Sequence, residues 1–273
     1  MKNDSLGDRM KKYEGVPKTA LMRRNPVIIR IDGKAFHTFT RGFQRPFDNI
    51  LIESMQETMK YLCENIQGCK LGYCQSDEIS LLLTDYENIN TAAWFDYEVQ
   101  KMCSITASMA TLAFNRAFKD EVEYVIGWAE AESLAMYHAQ VELTKPHIKA
   151  LEKGAMFDAR VFSIPKDEAC NYFIWRQQDA TRNSIQMVGQ ANFSHKELQK
   201  KSCDKIQDML MLEKGINWND FPTVQKRGSC CTKTGVHTVV DMKTGEQKER
   251  FVWEIDKEIP IFTQDRNYIE RWI

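Results

Sequence analysis

A chain of 273 residues that is 43% hydrophobic and 27% charged can bury a core of its own and is not a disordered chain. Its 37 basic and 38 acidic side chains leave a formal net charge of −1, so a polyanionic partner must be held by local clusters or by a site assembled across subunits rather than by an overall basic surface. No run of about 18 uninterrupted apolar residues is present, which argues against a membrane-spanning helix, and the charged opening MKNDSLGDRMKKYEG lacks the apolar segment of a signal peptide.

The eight cysteines stand at positions 63, 69, 74, 103, 170, 203, 230 and 231. No spacing among them makes a C-x2-C pair, and a core of this size needs no staples, so they read as reduced thiols of a cytoplasmic protein.

Residues 1–25 read as a short polar helix and a linker. Val27, Ile28, Ile29 and Ile31 predict a buried strand over 27–31 that ends abruptly on Asp32-Gly33, with Lys34 and His37 just beyond. After a loop through Arg45-Pro46, Asp48 or Asn49 caps a helix near 50–67 whose apolar side carries Ile50, Leu51, Met55, Met59, Leu62 and Ile66, and Gly68 ends it. The stretch KLGYCQSDEISLLLT, 70–84, reads as two strands around Gln75-Ser76-Asp77-Glu78. Asp96 is a candidate cap for a helix over 97–118. Residues 121–152 look helical, with Pro146 interrupting; 157–165 reads as a strand, and 166–186 as helix.

The order strand, helix, hairpin, helix, strand is a split βαβ, or ferredoxin-like, pattern of the α+β class. It makes strands one and two parallel, with strand three between them. Asp32, at the end of strand one, and Asp77, in the hairpin turn, then converge at one edge of the sheet although 45 positions apart. Two converging carboxylates share a proton or bind cations; hard oxygen ligands beside phosphate suit Mg²⁺, and two such ions can stabilise the attacking and leaving oxygens of a phosphoryl displacement. Taken singly, Asp-Gly and Ser-Asp are also ordinary turn sequences.

Arg30-Ile31-Asp32-Gly33 with Phe36-His37, followed by Gln75-Ser76-Asp77-Glu78, resembles the tRNA(His) guanylyltransferase and guanylyltransferase-like family of 3′–5′ RNA polymerases. The likeness continues through Lys101-Met102-Cys103-Ser104, Phe157-Asp158-Ala159-Arg160 and Trp175-Arg176-Gln177-Gln178-Asp179. It implies a polymerase-type palm with an antiparallel sheet and helices on one face, two Mg²⁺ ions, tRNA, ATP and GTP as partners (other NTPs if addition is templated), and a homotetramer. By motif, Asp32 and Asp77 match the metal-binding catalytic aspartates, with the Gly33 carbonyl a further ligand. Asp32, Gly33, Lys34, Ala35, Phe36, His37, Ser76 and Asp77 match the nucleotide-lining segment. Lys101 matches a triphosphate-binding lysine, with Ser104 on the same helix face, and Arg45 and Asn183, in neighbouring motifs, complete the nucleotide-binding set that the resemblance implies. Glu78 is either support for the site or simply the start of a strand.

Two departures bear on function. The family's Lys-Pro-Asn-Asp is here Arg45-Pro46-Phe47-Asp48, and its eukaryotic His-Ile-Asn-Asn is here Thr181-Arg182-Asn183-Ser184. The lost histidine argues against dedicated G−1 addition to tRNA(His) and favours the branch that repairs truncated tRNA 5′ ends by templated addition.

This divides the chain into a palm-like catalytic domain, 1–190, and an extension, 191–273, packed on it and touching tRNA or subunits. Ser194 to Glu197 fits a capping box for a helix reaching about 213, with Lys196, Lys200, Lys201 and Lys205 on a basic side; Lys226-Arg227 is a weaker basic candidate for tRNA. Residues 229–255 read as a hairpin with turns near Thr234-Gly235 and Lys243-Thr244-Gly245. Two other functions remain open at this point: a palm-type nucleotidyl cyclase using the same aspartates, and a non-catalytic RNA-binding module.

Overall fold

Strand β1 (Val27–Gly33) owes its consecutive apolar residues to burial on both faces: Val27, Ile28, Ile29 and Ile31 are fully buried. In the computed structural model, which describes residues 5–240 and 247–273, β1 lies inside a six-stranded sheet. The other strands are β2 (Cys69–Gln75), β3 (Glu78–Leu83), β4 (Phe157–Ser163), β5 (Ser229–Val240) and β6 (Gln247–Asp256). Their order is β4-β1-β3-β2-β5-β6 with every neighbouring pair antiparallel, so β1 and β2 run parallel with β3 between them, as the split βαβ pattern requires.

Helix α1 (Leu6–Gly15) is capped by Ser5 and buries nothing, while α2 (Phe36–Phe39) is a single turn beyond β1. Asp48 caps α3 (Asn49–Asn65), accepting from the Leu51 amide at 3.0 Å. Two crossover helices, α3 and α4 (Val99–Glu132), cover one sheet face, where Val27, Ile29, Ile31, Ile79, Leu81 and Leu83 meet Met55, Met59, Phe114 and Phe118. The opposite face is not bare. There Ile28, Leu71, Tyr73 and Leu82 pack on Tyr172 and Phe173 of a further helix and on the C-terminal segment around Phe262 and Ile269.

Several boundaries differ from the sequence reading. Residues 95–97 all have positive φ, and α4 starts on Glu98, which makes no side-chain cap; Asp96 is not the cap. α4 then runs unbroken to Glu132. The break falls at Ser133, whose hydroxyl accepts from the Met136 amide to start α5 (Leu134–Lys153), and Pro146 sits inside α5 without ending it. Helix α6 extends to Lys166–Asn192. The capping box at Ser194 starts only one turn, α7 (His195–Leu198); Lys200 adopts φ 60, and Ser202 caps a second helix, α8 (Cys203–Lys214). After a 3-10 turn, Trp218–Asp220, comes α9 (Thr223–Arg227), and α10 (Asn267–Glu270) lies near the chain end. Thr234-Gly235 is a register shift within β5 rather than a turn, and the Lys243-Thr244-Gly245 turn lies outside the described residues.

Residues beyond 190 are built into the same sheet: β5 pairs with β2, placing Ser229 opposite Cys74. All eight cysteines are free, and among the described residues no helix is long and apolar enough to cross a membrane. The chain enters β5 through Gly228, at φ 83, where an added Cβ would lie 2.3 Å from the Cys74 carbonyl oxygen. The adjoining Arg227 carbonyl accepts the Tyr73 hydroxyl at 2.6 Å. Gly228→Ala is therefore expected to lower stability by about 2–4 kcal/mol in urea denaturation, combining backbone strain with a clash that no flexible side chain can relieve.

Candidate active site

The two aspartates meet because of strand pairing. β1 carries Asp32 opposite Glu78 of β3 on one side and opposite Asp158 of β4 on the other. The Gly33 amide donates to the Asp77 carbonyl at 3.1 Å, closing the end of β1 against the hairpin turn. A Cβ on Gly33 would lie 2.2 Å from the Phe36 ring, so only glycine lets the chain fold back here. Ser76 turns the hairpin with φ 53, and its hydroxyl donates to the Asp77 carboxylate at 3.1 Å.

The electrostatics suit a cation. Burial first, and then the charge of Asp32, push the Asp77 carboxyl above its ordinary value, while its own amide, Ser76 and Arg30 pull against them. Arg160 of β4 reaches to 3.8 Å from Asp32 and 3.7 Å from Asp158. No group of three or more His, Cys, Asp or Glu side chains is set to hold a metal among the described residues. Two carboxylates beside backbone carbonyls are the donor set of an ion that keeps water and substrate phosphate as its other ligands, as Mg²⁺ does.

Glu78 supports the turn. Arg176 of α6 grips it in bidentate fashion, at 2.6 Å and 2.8 Å, and Arg30 binds the same carboxylate. Burial pushes the Glu78 carboxyl up, and the two guanidinium groups pull it down. Arg176 also donates to Asp179 at 3.2 Å, and Asp179 in turn holds Arg182. Of this network only Glu78 was singled out from the sequence; Arg30, Arg176 and Asp179 belong to recognisable motifs, but their pairing spans up to 98 residues and spacing does not reveal it.

Two cavities flank the aspartates and share Ser76, Asp77, Met187 and Gln190. One, of about 380 Å³, takes in Asp32, Glu78, Arg30, Arg176, Asn183 and Gln186. The other, of about 660 Å³, takes in Gly33, Ala35, Phe36, His37, Arg41 and Arg45. The predicted residues Asp32, Gly33, Ala35, Phe36, His37, Arg45, Ser76, Asp77 and Asn183 are thus brought to one place, and Arg41, Gln186 and Gln190 join them unpredicted. Lys34 is exposed, with its amide donating to the Met156 carbonyl, and lines neither cavity.

Lys101 and Ser104 are not brought to the aspartates. β3 runs away from the site, so α4 begins at the far edge of the sheet. There Lys101 lies over the Phe95 ring at 4.7 Å, ten residues and about 15 Å of helix from Thr111, whose hydroxyl accepts from Phe157 near the site. The basic candidates line neither cavity, although Gln225, next to Lys226, reaches Gln75 and Ser76 across a smaller one. Lys196, Lys200, Lys201 and Lys205 are exposed on two helices and the turn between them, and Lys226 donates to the Asn219 carbonyl at 2.5 Å.

Two aspartates at the edge of an antiparallel palm sheet, between two polar cavities with arginines in their walls, define a palm-type enzyme of phosphoryl or nucleotidyl transfer. The family model for tRNA(His) guanylyltransferase (Thg1) matches residues 7–165. The chain belongs to the tRNA(His) guanylyltransferase family and is a nucleotidyltransferase. It is 44% identical to a bacterial tRNA(His) guanylyltransferase (Thg1)-like protein solved in complex with ATP, with TM-score 0.79 over 98% of this chain and 99% of that one. A corresponding structure in complex with GTP gives 41% identity and TM-score 0.74 over the same shares. The tRNA(His) guanylyltransferase of Saccharomyces cerevisiae is 26% identical over 77% of this chain and 83% of its own length. These likenesses do not favour the cyclase or the binding module.

Removing Arg176 leaves Glu78 buried with half its partners. Arg176→Met is expected to cost about 3 kcal/mol in denaturant unfolding, and Arg176→Lys to recover less than half of that, because a lysine cannot reproduce the bidentate fork.

Proposed function

We propose that the chain adds nucleotides to tRNA 5′ ends in the 3′–5′ direction, by activating the 5′-monophosphate with ATP or GTP and then joining it to the 3′-hydroxyl of an incoming NTP. The carrying observation is the convergence of Asp32 and Asp77 on the lining of one polar cavity, with Asp77 shared by the larger cavity that holds Arg41 and Arg45. In activation, the RNA 5′-phosphate oxygen attacks the α-phosphate of the nucleotide and pyrophosphate leaves, giving a 5′-5′ linked end. In addition, the NTP 3′-hydroxyl attacks the 5′-phosphate of that end and the activating mononucleotide leaves.

Asp32 and Asp77 are the residues that would hold Mg²⁺, two ions in this reading, which when bound neutralise phosphate charge and make the attacking hydroxyl more acidic. The chain's own residues supply position. Arg41 and Arg45, in the lining of the larger cavity, would meet a triphosphate with two cations, and His37 would lie by its sugar or base. Across the aspartates, Asn183, Gln186 and Gln190 offer amides to an RNA end in the smaller cavity. Arg30 and Arg176 keep the hairpin turn in place through Glu78. Positioning and charge stabilisation account for most of the rate, and no histidine base is required.

The repair branch is the finer reading. Where eukaryotic relatives have the histidine motif, Arg182 is held by Asp179, and Ser184 is buried and accepts the Trp218 indole N–H at 3.0 Å, which leaves Asn183 as the residue of this turn that lines the smaller cavity. The likeness to bacterial Thg1-like proteins points the same way. Residues 1–190 as catalytic domain, a cytoplasmic location and a homotetramer that shares the tRNA between subunits complete the proposal.

Asp32→Asn and Asp77→Asn are each expected to lower nucleotide addition by about a thousandfold or more while the thermal unfolding transition is retained. With ATP, labelled GTP and Mg²⁺, a 5′-monophosphorylated tRNA lacking its first nucleotide should be extended in preference to full-length tRNA(His). The reverse preference would assign G−1 addition instead, and EDTA should abolish both products.

A further inference from the structure

We infer that His147 of α5 is a positioning residue for the arginine loop of the larger cavity, acting through Asp48; this rests on the reading that the cavity takes a nucleoside triphosphate. The loop between α2 and α3 brings Arg41 and Arg45 into the lining of the cavity that also holds Asp77. Both are exposed, and neither is paired with a carboxylate among the described residues. What fixes them lies beneath. Asp48, 7% exposed, accepts from the Gln44 amide at 3.0 Å and the Leu51 amide at 3.0 Å, and His147 Nε2 lies 2.8 Å from its Oδ2. Burial alone would raise the Asp48 carboxyl, yet the hydrogen bonds from His147, Leu51 and Gln44 hold it below its ordinary value. An ionised carboxylate only accepts, so His147 Nε2 is the donor.

The neighbouring contacts repeat the pattern. The Phe43 ring stacks on His147 with centroids 4.1 Å apart, and Pro146 stands where a Cβ on Gly42 would come within 3.3 Å. Gly42, Phe43 and Gln44 therefore rest in sequence on Pro146, His147 and Asp48. Arg41 and Arg45 are the residues on either side of that anchored triplet. His147 is 4% exposed and lies outside the cavity lining, so its influence on a bound triphosphate passes through the loop. The sequence shows only a helix with a proline in it; the structure makes that turn of α5 the bed of the arginine loop.

The test uses the full-length protein, with ATP in the presence of Mg²⁺ as the probe. His147→Phe keeps the ring stack and removes the donor; His147→Gln keeps a donor near the Nε2 position. His147→Phe is expected to raise the Kd and KM for ATP about tenfold, the scale of one hydrogen bond to a charged group, with kcat within about twofold of wild type. His147→Gln should return both constants to within about threefold of wild type. Phe43→Leu, which leaves the Asp48 hydrogen bonds in place, should raise the KM in the same direction and keeps the test open if His147→Phe does not fold. Unchanged ATP affinity in His147→Phe, equal losses in the Phe and Gln variants, or a fall in kcat without a rise in KM would each overturn the inference. Failure of the wild-type protein to bind ATP would overturn the reading of the cavity, and the inference with it.

Discussion

The antiparallel pairing of β1 with β3 is the constraint on which the site depends. Side chains alternate between faces along a strand, so a slip of one residue would turn Asp32 away from the hairpin and send Ile31 out of the core. The register that sets Asp32 opposite Glu78 is enforced along the whole pair by Val27, Ile29 and Ile31 against Ile79, Leu81 and Leu83, all fully buried. The apolar core and the acidic edge are thus two ends of one alignment. The Gly33 amide on the Asp77 carbonyl fixes the last step of that alignment, where no apolar side chain is left to do so.

Around this edge the charges are sorted by burial. Glu78, nearest the sheet interior, is neutralised by two arginines, which leaves it a structural anion rather than a ligand. Asp77, one residue earlier, is partly buried and repelled by Asp32, so it gains most from a cation. Asp32 itself has Arg160 3.8 Å away and feels the charge of Arg30. Adjacent carboxylates in the sequence therefore have different chemistry because Glu78 is gripped by Arg176 and Arg30, whereas Asp77 opens onto both cavities without such a partner.

Much of this was legible in the sequence for a physical reason: residues that interact locally leave a local signature. The run Val27–Ile31, the Asp48 cap and the alternation around Ser76-Asp77 each declare themselves within a few positions, and split βαβ topology does the rest. What was not legible depended on distant partners. The α4–α5 break carries neither glycine nor a helix-ending proline, because Ser133 supplies a cap instead; Pro146 misled because its environment tolerates it inside a helix. Lys101 was grouped with the aspartates by motif, but a motif does not state at which end of the sheet its helix begins. The Arg176–Glu78 grip and the His147–Asp48 contact, 98 and 99 positions apart, exist only once the helices pack.

The pairing of β5 with β2 has a consequence for biosynthesis. Chain growth delivers β1, α3, β2 and β3 early, yet the outer edge of β2 receives its partner only when Ser229 to Thr232 have been made. Until then the strand leading into Ser76 and Asp77 has an edge of unpaired backbone groups, and Tyr73 lacks the Phe262 ring that packs on it in the finished fold. The nascent chain thus carries its acidic residues long before it can hold them still.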